Sequence, residues 1–429
     1  MTGIIQIATI GTDAGPFNLF SDVTSFSSAF ETNISRGQLL TGFPSSNIPD
    51  GTSIIRVISV GNCTNYIDIE ITSLCYGFVP DDFYLTDYIL KSDSAYFYGY
   101  FSGYTDDSTT TTVGNIIKLN ENQTVDTTFD TGTGFNQVFY DGESIKEQSD
   151  GKVIATGSFT SFNGVNANRI VRLNTNGSLD TTFIYGTGFN NFTQGTAIDT
   201  SGSILVTGLF SSYNGTSASR IIRLLSNGSV DTSFVFGTGF NNTTTDVLVS
   251  IDSTIYVLGY FSSYNGVSVS NGITRLNSDG SLQGSFNGGT GFLPYLPSNP
   301  NNMIQLPAEK QIYVAGYFTS YNGITANRIV KLTADGGIDP FANFGTGFNN
   351  VVYVIKIVWE NKIYLSGEFT TYNGTNTYKN VILNPDGSIY YAFSEPSSIS
   401  PYTYYHPLII GNKIYSVIDG CYKLIYTEP

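Results

Sequence analysis

The sequence predicts an all-β protein, a β-propeller of four-stranded blades preceded by a small β-sandwich-like domain. Three observations predict it. One phrase recurs: GSFTSFNGVNANRIVRLNTNGSLDTTFIYGTGFN at 157–190 returns as GLFSSYNGTSASRIIRLLSNGSVDTSFVFGTGFN at 208–241, with further copies starting at Gly99, Gly259, Gly316 and Gly367. By subtraction, the starting glycines lie 58, 51, 51, 57 and 51 residues apart, and a period near 50 marks a repeat architecture. Each copy holds four short runs rich in Ile, Val, Tyr and Phe, bounded by Gly, Asn, Asp and Ser, as strands are. No run in the unit has the spacing of an amphipathic helix. Four antiparallel strands per repeat close well around an axis and stack poorly end to end, which favours a propeller over a solenoid.

In chain order, residues 1–75 contain no copy of the repeat and read as the small β domain. Apolar residues alternate along Ile4–Ile10, Ile54–Val60 and Tyr66–Ile71, and Asp13-Ala14-Gly15-Pro16, Pro49-Asp50-Gly51 and Gly61-Asn62 supply turns between them. Residues 76–429 are expected to form the propeller. Its unit is clearest around Gly259, with strand A over Val247–Ile251, B over Ile255–Phe261, C over Gly272–Leu276 and D over Ser281–Phe286. Between C and D stand Asn176-Gly177, Asn227-Gly228, Asp279-Gly280, Asp335-Gly336 and Asp386-Gly387, which supply the positive φ of tight hairpins. Six copies are plain. A seventh is read from Asn412-Lys413-Ile414-Tyr415, which matches Asn361-Lys362-Ile363-Tyr364. The chain stops at Pro429, before a D strand, and Val79–Phe83 (VPDDF) resembles Val125–Phe129 (VDTTF). We therefore expect Val79–Phe83 to close the last blade and remove two exposed sheet edges. Seven blades is the first reading and six the alternative.

Composition narrows the function. The 429 residues carry 34 acidic and 19 basic side chains, a net charge of −15, and only 12% are charged, about half the usual share. Such a surface repels phosphate backbones and anionic lipid, so neither nucleic acid nor membrane is an expected partner. No run approaches the 18 or so apolar residues of a spanning helix, and the start, MTGIIQIATIG, lacks the basic region and apolar core of a signal peptide. Cys63, Cys75 and Cys421 do not make a disulfide framework.

Two stretches resemble known families. Gly15-Pro16-Phe17, Pro49-Asp50-Gly51-Thr52 and Cys63-Thr64-Asn65-Tyr66 carry a resemblance of residues 15–71 to a module of structural and tail proteins of phages infecting Bacteroidales, including crAss-like phages. Residues 85–429 resemble the delta-60 repeat propellers, through Asn168-Arg169-Ile170-Val171-Arg172-Leu173-Asn174 and Asn327-Arg328-Ile329-Val330-Lys331-Leu332. The phrase weakens to Lys379-Asn380-Val381-Ile382-Leu383 in copy six and is lost in copy seven. The resemblance implies a propeller in a virion and no agreed catalytic site.

Residues found in every copy most simply serve packing. The SYNG phrase, with Tyr213, Tyr264, Tyr321 and Tyr372, has the look of a sugar-stacking loop, but the plainer reading is a turn whose Tyr covers a neighbouring blade. GTGFN reads as a connector with Phe189, Phe240 and Phe348 wedged between sheets. NTNGSLD at Asn174–Asp180 reads as a hairpin rather than a calcium loop, since the closing Glu is missing. Function is expected where the repeat breaks. Phe101 to Leu119 spans 18 residues against 14 from Phe159 to Leu173, which places an insertion in the B–C loop at Tyr104–Asn115. D–A insertions lie near Phe139-Tyr140-Asp141-Gly142 and at Leu293–Asn302. B–C and D–A connections share one end of an antiparallel blade, so all three insertions are expected on one face of the disc, often the binding face. The candidate binding residues are Tyr104, Asp106, Asp107, Tyr140, Asp141 and Tyr295, together with the irregular patch Tyr402, Tyr404, Tyr405 and His406.

With His406 the only histidine and no GxSxG or HExxH motif, neither a Ser-His-Asp centre nor a zinc site is expected. We expect no catalytic residues, cofactor or metal. The reading is a non-enzymatic virion component of a tail, tail fibre or collar. It is expected to be made in the host cytoplasm and present in multiple copies, contacting other virion proteins or a host-surface glycan. Two alternatives stand. One is a tail glycan hydrolase or lyase using Asp106, Asp107 or Asp141; the other is a bacterial surface adhesin, which needs an export signal.

Overall fold

The computed structural model describes residues 84–393, apart from 92, 107–108, 121–123, 139–143, 295–302 and 308. Outside that span it describes residues 3–5, 17–21, 25, 27–35, 43–45, 54–59, 66–70, 73–74, 78–79, 408–410, 413–418 and 421–427. The repeat is built from β-structure throughout. In the copy that begins at Gly208, strand A is Thr193–Ile198, B is Ile204–Gly208 and C is Ile221–Leu224, paired antiparallel with B in the centre. B is buried on both faces, which explains why its sequence is a continuous apolar run and does not alternate. The same A–B–C order recurs at Tyr84–Leu90, Ser94–Tyr100 and Ile116–Asn120; at Ser144–Glu147, Val153–Thr156 and Ile170–Leu173; and at Thr244–Val249, Ile255–Gly259 and Ile273–Leu276. It continues at Met303–Ile304, Ile312–Ala315 and Ile329–Leu332, and at Val352–Ile357, Ile363–Gly367 and Asn380–Leu383. Successive A strands pack against one another, so A is the innermost strand of each sheet.

Strand D departs from expectation. In most copies it shrinks to one bridge, such as Leu173↔Leu179, Leu224↔Val230 and Leu276↔Leu282. The cause is the next residue. Asp231 Oδ1 accepts hydrogen bonds from the Ser233 N–H (2.9 Å) and hydroxyl (2.6 Å), and Asp180 does the same for Thr182. Such an Asx turn bends the chain out of the ladder. The copy with Tyr390 in place of this Asp keeps a full D strand at Ile389–Ala392. The turn between C and D is as expected: Gly177, Gly228, Gly280, Gly336 and Gly387 all have φ between 83° and 92°.

The SYNG phrase forms a second, small hairpin, Ser212–Tyr213 with Thr216–Ser217. Its Tyr pairs backward with the Phe of the preceding GTGF phrase, as Phe189↔Tyr213, Phe240↔Tyr264 and Phe348↔Tyr372. Three rings then meet: Phe189 lies 4.5 Å from Phe210 and 4.7 Å from Tyr213 between centroids, and Phe240 sits likewise against Phe261 and Tyr264. The Tyr213 hydroxyl donates to Ile184 O (2.9 Å) and Gly228 O (2.8 Å). Asn214, at φ +46°, accepts from the Thr187 N–H at 3.2 Å. A Cβ on Gly186 would fall 1.9 Å from Asn214 Oδ1, so that glycine is fixed by contact as well as by its φ of +52°. The Phe and Tyr rings of GTGFN and SYNG, with the Asn214 amide, are thus used in packing between neighbouring repeats.

Charged residues between C and D add a second tie. Arg172 Nε donates to Asp180 Oδ2 at 2.8 Å, and its Nη1 reaches Ser226 O in the next repeat. Arg275 Nη1 reaches Ala334 O at 2.7 Å in the same manner. The side-chain oxygens of Asn176 and Asp180 are engaged within and beside this hairpin, since Asn176 Oδ1 accepts from Ser178 and Asp180 from Lys152, Arg172 and Thr182.

Toward the C-terminus Leu408–Ile410, Lys413–Ile418 and Cys421–Thr427 form a sheet whose fourth strand is Ser73–Leu74. The pairing expected of Val79–Phe83 therefore belongs to Ser73–Leu74. Phe78–Val79 instead pairs with Gly103 and Tyr104, the place that Phe135 takes on Phe162 in the next copy. Residues 80–83 lie outside the described residues. In the N-terminal region, Ala29–Ile34, Phe17–Ser21, Ile54–Ser59 and Tyr66–Glu70 form one antiparallel sheet in that spatial order, and Gly3–Ile5 pairs with Phe43–Ser45. Phe17, Leu19, Ile34, Ile55 and Val57 bury its inner face.

Candidate functional site

Two places break the repeat. The first is the face where the B–C hairpins meet the D–A connectors. The bridges between GTGF and SYNG put those connections side by side; the insertion at 139–142 and residues 295–302 of the next lie outside the described residues. In copy one the short hairpin is replaced by a longer one, Gly103–Asp106 with Thr109–Thr112. Leu293, at the start of another insertion, pairs with Ser320 of the adjacent hairpin.

The structure corrects one candidate on this face. Tyr104 is 4% exposed and packs with Leu85, Phe97 and Phe101. It occupies the position of Phe162 and Tyr213, and is a packing residue. Asp106 lies on the longer hairpin opposite Thr109. Asp107, Tyr140, Asp141, Tyr295, Tyr402, Tyr404, Tyr405 and His406 lie outside the described residues.

The second place is the inner ring of A strands, and sequence reasoning missed it. Register identifies equivalent positions. Asp87 pairs with Tyr98, Ser144 with Thr156, Asp246 with Leu258 and Val354 with Ser366. One step further outside the pleat, Lys146 and Lys356 occupy the position of Ile89, Ala197, Leu248 and Ile304. Two Asp and two Lys thus stand where other copies carry small or apolar side chains. The signal was present as isolated charges within otherwise apolar A strands.

These side chains converge. Lys146 Nζ donates to Asp87 Oδ2 at 2.7 Å, and the same oxygen accepts from the Ser144 hydroxyl and Ile145 N–H at 3.0 Å each. Lys356 Nζ lies 5.9 Å from the centre of the Tyr88 ring, so the sixth and first copies meet across the axis. Asp246 is 7% and Gln194 9% exposed. The Val247 N–H donates to Asp246 Oδ1 at 2.8 Å, whereas Asp246 Oδ2 and Gln194 Oε1 have no hydrogen-bond partner among the described residues. Burial pushes the Asp246 carboxyl up to about 7, against the opposing pull of the Val247 N–H, Lys146, Lys356 and the Met303 N–H, which faces the carboxyl without the geometry of a hydrogen bond. Lost solvation lowers the pKa of half-buried Lys356, partly offset by Asp87, deepened by Lys146 and offset again by Asp246. A half-enclosed cavity of about 270 Å³ lies here, lined by Ser144, Lys146, Gln194, Gly195, Asp246 and Met303 among others. Among the described residues no group of three or more His, Cys, Asp or Glu side chains is placed to hold a metal.

The recurrent sheets, interlocked phrases and inner ring of A strands define a β-propeller repeat protein. The family described as "Domain of unknown function (DUF5122) beta-propeller" matches residues 148–183, 200–234, 252–286, 310–341 and 361–389, which supports a β-propeller repeat family. Among solved structures the chain is similar to virginiamycin B lyase from Staphylococcus aureus, at 14% identity over 83% of this chain and 99% of that one, with a TM-score of 0.49. It is similar to the computationally designed Ika8 protein at 8% identity, over 82% and 98% of the two chains, with a TM-score of 0.46. The extracellular domain of a one-component system from B. thetaiotaomicron shares 13% identity over 100% of this chain and 52% of that chain, with a TM-score of 0.44. At these identities and scores the likenesses carry no argument about activity. No curated protein matches the sequence.

Proposed function

We propose that this chain is a non-enzymatic structural component of a bacteriophage particle, in a tail, tail fibre or collar. In this reading the N-terminal domain, residues 1–75, anchors it, and the propeller presents one face to a neighbouring virion protein or a host-surface glycan. The same reading takes the ring as seven-bladed, with six as the alternative; the six A–B–C sheets and the C-terminal sheet joined by Ser73–Leu74 support seven. The observation that carries the reading is the asymmetry of the two faces. Among the described residues, one bears short turns, the Asn-Gly and Asp-Gly hairpins between C and D with the A–B turns beside them, while the other bears the long Gly103–Thr112 hairpin and the mouth of the Leu293 insertion. Insertions collected on one side of a repeat disc are how such scaffolds acquire a contact surface. The phage resemblance of residues 15–71 and the low surface charge support the setting.

Mass spectrometry of purified particles, with antibody against residues 84–393 in negative-stain imaging, tests it. The expected result is the chain in intact particles, with label on the tail or collar. Particles that lack the chain would remove the proposal.

A further inference from the structure

We propose that the inner ring of A strands holds a binding site for a small neutral polyol, the size of one sugar ring, seated against Asp246 and Gln194. The inference does not rest on the virion reading.

The first argument is the pair of unused acceptors. A buried polar atom without a partner is costly, and native structures nearly always satisfy it. Asp246 Oδ2 and Gln194 Oε1 are both left open, on side chains more than nine-tenths buried, and both residues line one cavity. What completes them must donate hydrogen bonds. The second argument is the surrounding charge. Lys146 and Lys356 both act on Asp246, so a second cation entering beside it is repelled, while neutral hydroxyl donors are not. Lys146 is already engaged by Asp87 Oδ2, the Ser144 hydroxyl and Ile145 O, and it sets the field more than it contacts a ligand. The third argument is shape. A Cβ on Gly195 would meet Val247 N at 2.9 Å and Asp246 Cα at 3.0 Å, so glycine lets the third and fourth A strands approach closely and brings Gln194 to the side of Asp246. Val247 and Met303 give the same cavity an apolar wall, as the C–H face of a pyranose requires. The volume of about 270 Å³ lies just under the range of ordinary ligand pockets, about 300–1,000 Å³. It is far more than the ~30 Å³ share of one water.

The repeat pattern adds weight. Asp246 stands in register with Asp87, Ser144 and Val354; Asp87 spends its Oδ2 on Ser144, Ile145 and Lys146, whereas Asp246 Oδ2 has no such partner.

The test is saturation-transfer difference NMR on the full chain at pH 8, with D-glucose, D-galactose and N-acetyl-D-glucosamine as probes and methylammonium as the cationic control. At least one sugar is expected to bind and methylammonium is not. Gln194→Met and Asp246→Asn are each expected to weaken the sugar about tenfold or more, because a hydrogen bond to a buried or charged acceptor is worth about that factor. Gln194→Met removes an oxygen that makes no internal hydrogen bond, so its thermal melt is expected to match the parent chain. Sugar affinity should rise as pH climbs through about 7 in the parent chain and stay flat in Asp246→Asn. The groups that set this profile are Asp246, Lys146, Lys356 and Asp87. Absence of binding by all three sugars would overturn the proposal. So would sugar binding that both variants leave unchanged, or methylammonium binding in preference to the sugars. Loss of the chain from purified particles would refute the virion reading and leave this result standing.

Discussion

Replacing Asp246 with Asn removes one charge at nearly constant shape, and the structure fixes how that must depend on pH. The carboxyl is 7% exposed, one of its oxygens is unpartnered, and its pKa is raised from 3.8 to about 7. A raised carboxyl pKa means that the folded state binds the proton more tightly than the unfolded chain. Its contribution to stability is therefore full below about pH 4, falls as pH rises, and is lost above about 7. The gap between the two values corresponds to about 4 kcal/mol. Asn stays neutral, so Asp246→Asn should match the parent chain near pH 4 and exceed it by up to about 4 kcal/mol at pH 9. The gain should develop between those limits. Urea melts of both chains at pH 4, 6, 7.5 and 9 measure it. If the variant were instead weaker at pH 9 than at pH 4, the anion would be held by Lys146 or Lys356 as a stabilising ion pair, and the argument from burial would fail.

Tyr213→Phe removes a hydroxyl that donates to two carbonyls, Ile184 O and Gly228 O; a loss of about 1–3 kcal/mol is expected in a urea melt. Gly195→Ala places a Cβ within 3.0 Å of the neighbouring A strand, and should lower the melting temperature by several degrees while Gly215→Ala, whose Cβ meets nothing within 4 Å, costs only the strain of its φ of +78°. Asp180, hydrogen-bonded by Lys152, Thr182 and Arg172, has a pKa held far below the carboxylate range despite its burial, and Asp252 is held at about 2 by Thr254 and Arg275 against the same opposing burial. Because both are depressed, their stabilising effect is present above about pH 4 and is lost as pH falls through the folded values; Asp180→Asn should flatten the acid limb of a thermal melt series between pH 5 and 2.

The fold was readable because each copy checks the others. The A–B–C strands, the glycines after Asn176 and Asp279, and the packing roles of Tyr213 and Phe189 all follow from phrases that recur with their turn chemistry intact. Strand D was overread, because Leu282–Phe286 has strand composition and only the side-chain hydrogen bonds of the Asp or Gln before the turn end the ladder. Val79–Phe83 was chosen for closure by likeness to a phrase that itself turns away after one bridge. Ser73–Leu74 carries no such phrase, because a two-residue strand needs only backbone. Tyr104 looked like part of an insertion since the extra residues follow it, yet it keeps the buried position of the repeat. The inner charges escaped notice for a different reason. Asp87, Lys146, Asp246 and Lys356 are far apart in sequence and meet only when the A strands are brought around one axis.

The pairing of Phe189 with Tyr213, Phe240 with Tyr264 and Phe348 with Tyr372 means that no copy of the phrase is finished by its own residues. A segment excised from one repeat glycine to the next would carry a hairpin with no Phe beneath it and a Phe with no hairpin above it. The autonomous module is thus staggered against the written repeat, running from one GTGF arm through the following D-strand turn. Duplication or loss of a module along those staggered borders preserves every interlock, and a ring of this kind can change its number of members without inventing a new joint.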